Sequence, residues 1–199
     1  MERIHNPFCL RKVFYLIMTR KILSKYSIFD LIFISGCAAL GIAIKPVLTP
    51  LVHMITGPLF IPGGSVAGGI YMLFIVVAAL VINKPFSATL TTIVQAILVV
   101  VTGVIGSHGI LSLFTYILPG LVIDIIFFIF KYQSKHVLVA FLMGALANVA
   151  GTYASNLVFF RLPWIPLLLS LSAGFLFGGI GGIIAYRVSN SLKGFIHQL

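Results

Sequence analysis

Polar side chains are scarce in this sequence, and those set inside apolar runs fall into a few groups. Asn148, Thr152, Ser155 and Asn156 stand at i, i+4, i+7 and i+8, with Tyr153 beside them. That spacing is one face of a helix. Thr91, Thr92, Gln95 and Thr102 make a similar stripe, and Tyr116 and Asp124 lie on either side of the break Pro119-Gly120. Such groups can hydrogen-bond one another between helices, or they can line a polar cavity for a small hydrophilic ligand. Either use turns them inward, because an unpaired polar group in an apolar solvent is costly. In the cavity reading Gln95, Tyr116, Asn148, Thr152 and Asn156 supply hydrogen bonds, and His53 or Trp164 supplies a ring for stacking. Asp124 is the only acid deep inside an apolar run, Asp30 lying at the start of another, and so is a candidate ligand contact. An ion pair with Lys84 or Lys131, or a hydrogen-bonded structural role, would account for it equally well.

Other chemistries are poorly served. No HExxH pair, GxSxG elbow or Ser/His/Asp ordering occurs, so an enzyme is not expected. His53 and His108 lack the further His, Cys, Asp or Glu ligands that a metal site needs. Cys9 and Cys37 have neither metal spacing nor a disulfide framework. No GxxxxGK[ST] loop is present, so no nucleotide site and no cofactor bound by this chain is expected.

The elements that must position these residues follow from composition. Of the 199 residues, 60% are hydrophobic and 8% charged, against about 25% charged in soluble domains. Mean hydropathy is +1.18. Too few polar residues exist to cover a water-soluble domain, and too many apolar ones for disorder. Lipid must be the solvent. A bilayer-crossing helix takes about 20 residues, and six apolar segments can be read, near 28–44, 66–83, 86–105, 110–130, 136–160 and 164–187. The expected class is an all-α integral membrane protein of six transmembrane helices.

The net charge is +10. In a soluble chain it would suggest nucleic acid; here the basic residues separate apolar runs, so they report topology and no nucleic-acid partner is expected. With the N-terminus in the cytoplasm, Arg3, Arg11, Lys12, Arg20, Lys21, Lys25, Lys84, Lys131, Lys135, Arg187 and Lys193 fall inside, and only Lys45 and Arg161 fall outside. Both termini are therefore expected in the cytoplasm, with the protein multi-pass in the cell membrane.

Residues 45–65 carry Pro46, Pro50, Pro58 and Pro62 in an otherwise apolar stretch. Proline breaks helices, and irregular backbone at membrane depth must be buried in protein or line a cavity. The segment is expected to be an irregular extracellular loop between the first two spans, folded back as a plug over a pocket. Ser35, Ala39 and Ala43 form a ridge of small residues, suited to close helix approach inside the bundle or to docking a partner. The ridge Ser170, Gly174, Gly178 and Gly182 suits packing within the bundle. Residues 1–26 read as a basic amphipathic tail lying on the membrane surface, with Met18 a second candidate start. Residues 27–190 form the membrane domain and 191–199 a cytoplasmic tail.

The strings IPGGSVAGGIYMLF (61–74), KPFSATLTTIVQAILVVVTGVIGSHG (84–109) and TYILPGLVIDII (115–126) resemble the YkoE-like membrane components of energy-coupling-factor (ECF) transporters. Names given within that family include thiamine permease, hydroxymethylpyrimidine permease and, in older usage, cobalt transport permease. The resemblance implies a six-helix S component that captures a small vitamin or vitamin precursor from outside. It implies a transmembrane coupling (T) subunit and two cytoplasmic ATPase subunits as partners, which spend the ATP. It also implies that the first helix meets the coupling subunit through an AxxxA face, matched here by Ala39 and Ala43. The alternative is a self-contained oligomeric channel or facilitator for a small polar solute. Thiamine, a cation, would want a carboxylate or aromatic faces; a neutral pyrimidine suits the Asn, Gln, Thr and Tyr inventory.

Overall fold

In lipid every backbone N–H and C=O must be paired within its own segment, so these apolar runs fold as helices. The computed structural model describes residues 25–59, 62–103, 111–130 and 136–196. Among the described residues there is no strand, and the α-helices are α1 (Ile28–Ala43), α2 (Lys45–Thr56), α3 (Gly63–Ile82), α4 (Ser87–Thr102), α5 (Leu111–Ile129), α6 (Val137–Ser155) and α7 (Trp164–Ile196). A 3-10 turn, Gly57–Leu59, follows α2, and a π-helical stretch, Asn156–Phe160, extends α6. Where the sequence predicts a tail from residue 191, α7 continues to Ile196. The tail at 1–24, His108 and Lys131 lie outside the described residues.

The chain divides into two compact units, Met1–Phe33 and Ile34–Leu199. In the first, the Ser27 N–H donates to Asp30 Oδ2 at 2.7 Å and the Asp30 N–H donates to Ser27 Oγ at 3.2 Å. This reciprocal pair satisfies two of the donors that a helix start leaves open, and it begins α1.

In the second unit three helices are long and apolar enough to cross a membrane: Gly63–Ile82, Val137–Phe160 and Trp164–Gly194. The pair α1 and α2 makes a fourth if counted as one bent span. Helices α4 and α5 are shorter and apolar. Large apolar side chains face outward along these helices, among them Val101, Phe128 and Leu138. That is the pattern of a surface solvated by lipid.

Helices α3, α6 and α7 meet with almost no side chain between them. A Cβ on Gly144 would strike the Gly178 carbonyl of α7, and one on Gly182 would strike the Ala140 carbonyl of α6. On α3, a Cβ at Gly69 would strike the Phe177 backbone. Association in lipid relies on such close approach, because burial of apolar surface supplies no drive there.

The expectation of an irregular 45–65 segment is corrected. Residues 45–56 are helical, and the break falls at the single residue Ile44, where the axis bends by 41°. Backbone bonds nearly run through it: the Ile44 N–H reaches Leu40 O, and the Leu48 N–H reaches Ile44 O. Pro46 sits in the first turn, where an N–H has no helical partner anyway. Pro50 therefore costs one interior bond, and the helix survives until Gly57.

Candidate functional site

A cavity of about 280 Å³ lies among α2, α3, α4, α5, α6 and the start of α7. Of the residues read from the sequence as ligand contacts, His53, Gln95, Tyr116, Asn148, Thr152 and Asn156 all line it, and Trp164 and Asp124 do not.

The lining groups differ in how far they are already committed. Asn148 Nδ2 donates to Ser65 O and to Gly174 O, both at 2.8 Å, and so ties α6 to α3 and α7. Asn156 Oδ1 accepts from the Leu162 N–H at 2.8 Å, while its carbonyl accepts from the Arg161 N–H. It thereby closes the π-helical end of α6, after which Arg161 takes a left-handed conformation at φ 47°. Gln95 is only 3% exposed, and its Nε2 has no hydrogen-bond partner. The amide rests against Gly41, where any side chain would displace it. His53 packs on Gly63 at the start of α3.

Two sequence candidates are placed elsewhere. Trp164 is 78% exposed in the first turn of α7, close in sequence to the exposed Arg161. Tryptophan in that setting suits the membrane–water interface. The Asp124 carboxylate accepts the Ala88 N–H at 3.3 Å, the Thr89 N–H at 2.8 Å and the Thr89 hydroxyl at 2.5 Å. Phe86, the residue before α4, provides no side-chain cap and has φ 67°. Asp124, on α5, supplies the missing cap from across the bundle, where a carboxylate also favours the positive end of the helix dipole.

Sequence reasoning missed Lys45, which entered only as a topological charge. Its Nζ lies 4.6 Å from the Tyr71 ring centroid and 4.0 Å from that of Tyr116, and donates to the Tyr116 hydroxyl at 2.5 Å. Both distances fall within cation–π range. The Tyr71 hydroxyl is held in turn by Thr49 Oγ1 at 2.7 Å. A signal was available, since Lys45 is the sole charged residue between Asp30 and Lys84.

The docking candidates lie outside the bundle. From Ile34 onward α1 buries Ile34, Cys37, Ala38, Gly41 and Ile42. Ser35, Ala39 and Ala43 are exposed on its other side.

Residues 29–150 match the model of the family described as "ABC-type cobalt transport system, permease component". A solved structure described as "Crystal structure of an S-component of ECF transporter" superposes with a TM-score of 0.71 at 20% sequence identity, covering 84% of this chain and 85% of that one. A comparison with curated proteins finds no match. The fold and the family are those of transporter subunits, not of enzymes, and the apolar helices are those of a membrane protein. The chain thus belongs to the permease-component family of ABC-type cobalt transport systems and has the fold of an ECF transporter S component.

Proposed function

We propose that this protein is the substrate-capturing S component of an ECF-type importer in the cell membrane. It takes a small heteroaromatic vitamin or vitamin precursor from outside, with thiamine and hydroxymethylpyrimidine as the first compounds to try. The observation that carries this reading is the cavity of about 280 Å³, with its mixed polar and aromatic lining, beside α2. Cavities of that size and character bury most of a small ligand and orient it with a few polar groups. A bare divalent cation is a poorer fit. Such an ion needs several convergent anionic or imidazole ligands, and the described residues hold no group of three His, Cys, Asp or Glu.

In this reading the chain crosses the membrane six times, with both termini in the cytoplasm and α2 capping the outer mouth. The bias of basic residues towards the inner connections supports that orientation. The chain carries no phosphate-binding loop of its own, so ATP is spent by two cytoplasmic ATPase subunits. A transmembrane coupling subunit joins them to this chain through the exposed ridge Ser35, Ala39 and Ala43.

The test is purification in lipid nanodiscs, native mass spectrometry for a co-purifying small molecule, and calorimetric titration with thiamine and hydroxymethylpyrimidine. A retained or titrated ligand of this class is expected, and Thr152→Val, which removes a cavity hydroxyl, should weaken it about 5- to 10-fold. No retained molecule, together with no heat from either compound or from the carboxylate and phosphate counterparts of hydroxymethylpyrimidine, would defeat the proposal.

A further inference from the structure

Among the described residues that line the cavity, Lys45 is the one Lys, Arg, Asp or Glu. Its ammonium uses one of its three N–H donors on the Tyr116 hydroxyl and lies 4.6 Å from the Tyr71 ring centroid and 4.0 Å from that of Tyr116. Those rings hold the cation in place without neutralising it. The Thr49 bond fixes the Tyr71 ring. Gln95 also lines the cavity, though its buried Nε2 is turned against Gly41 of α1. No carboxylate stands among the described lining residues to balance Lys45. The remaining surface suits a flat ring, with Phe159 and Phe160 in the wall.

We infer that the ligand of this cavity is a small heteroaromatic molecule bearing a single carboxylate, which pairs with Lys45. A carboxylate can take the two remaining ammonium protons as charge-assisted bonds. It also cancels the one positive charge in the lining. A phosphate ester carries −1.5 to −2 charges, so it would leave excess negative charge in a low-dielectric site. A cation such as thiamine would meet repulsion. The inference rests on the reading of the chain as a capture subunit and decides the charge of what is captured.

The experiment uses the full chain in nanodiscs of zwitterionic lipid and four probes. They are hydroxymethylpyrimidine, its counterpart with COO− in place of CH2OH, its phosphate ester, and thiamine. Each is titrated calorimetrically against the native protein, Lys45→Met and Lys45→Arg, and each variant's ligand-free melting is recorded. The carboxylate should bind roughly tenfold or more tightly than the alcohol, and more tightly than the ester or thiamine. Lys45→Met should erase the preference, and Lys45→Arg should keep it. Should Lys45→Met fail to fold, the ranking of probes on the native protein and on Lys45→Arg decides. Tighter binding of the alcohol, the ester or thiamine overturns the inference and leaves capture standing, as does a carboxylate preference that survives Lys45→Met. Silence from all four probes overturns this inference, and if no small molecule is retained on purification it overturns the capture reading as well.

Discussion

At the scale of single residues, two buried amides in one cavity have opposite accounts. Asn148 spends both Nδ2 donors on backbone carbonyls of neighbouring helices, whereas Gln95 Nε2 spends none. Removing a partner from a made bond strands the other group, while removing an unpaired amide strands nothing. Asn148→Leu is therefore expected to lower stability by about 1–3 kcal/mol, read as a fall in melting temperature in detergent. Gln95→Leu is expected to leave melting unchanged or raise it, while weakening ligand binding. Equal losses of melting temperature in the two variants would show that Gln95 is bonded after all. Sequence spacing indicated that both residues face the interior, and both line the cavity. It did not show which amide is free, since that depends on carbonyls at Ser65 and Gly174, far from Asn148 in the chain.

At the scale of elements, the start of α4 shows how a local rule can be met by a distant residue. Helix starts are normally capped by the residue just before them, here Phe86, which has nothing to offer. The cap comes from Asp124, one helix later. The Asp124 oxygens are thus engaged where α4 begins, and the residue does not line the cavity. Asp124→Ala should destabilise the protein by about 0.5–2 kcal/mol and leave the Kd for ligand nearly unchanged in the folded fraction. A large loss of affinity at unchanged melting temperature would return Asp124 to the binding site. Helix α2 teaches a related point. Its prolines suggested irregular backbone, but one falls in a first turn and the other removes a single bond, so the apolar run stays helical. Helix existence was legible from hydropathy, and the place of the break was not.

At the scale of the whole molecule, the glycine contacts among α3, α6 and α7 set how close those helices lie. Gly178→Leu should prevent proper assembly, since even a Cβ there would press on the Gly144 carbonyl; normal yield and melting would refute the close contact. By contrast Gly36→Ala meets open space and should stabilise by about 0.5–1 kcal/mol through helix propensity. The ridge of glycines was legible as packing, but its partners were not, because four-residue spacing says that a neighbour comes close without saying which neighbour. Ala39→Trp also changes an exposed position, so ligand binding by the isolated protein should persist while assembly with a coupling subunit fails in a pull-down. The bend at Ile44 places that outward ridge and the cavity lysine on adjoining arms, with Ala43 and Lys45 only one residue either side of it. A crank of this kind transmits torque both ways. If a docked subunit swings the α1 arm, Lys45 must move with it, and a ligand gripping Lys45 must resist. Thermodynamic reciprocity then requires that the factor by which cargo changes affinity for the coupling subunit equal the factor by which that subunit changes affinity for cargo. Dissociation constants measured in both orders should agree, and inserting an alanine after Ile44, which rotates one arm by about 100° against the other, should uncouple them.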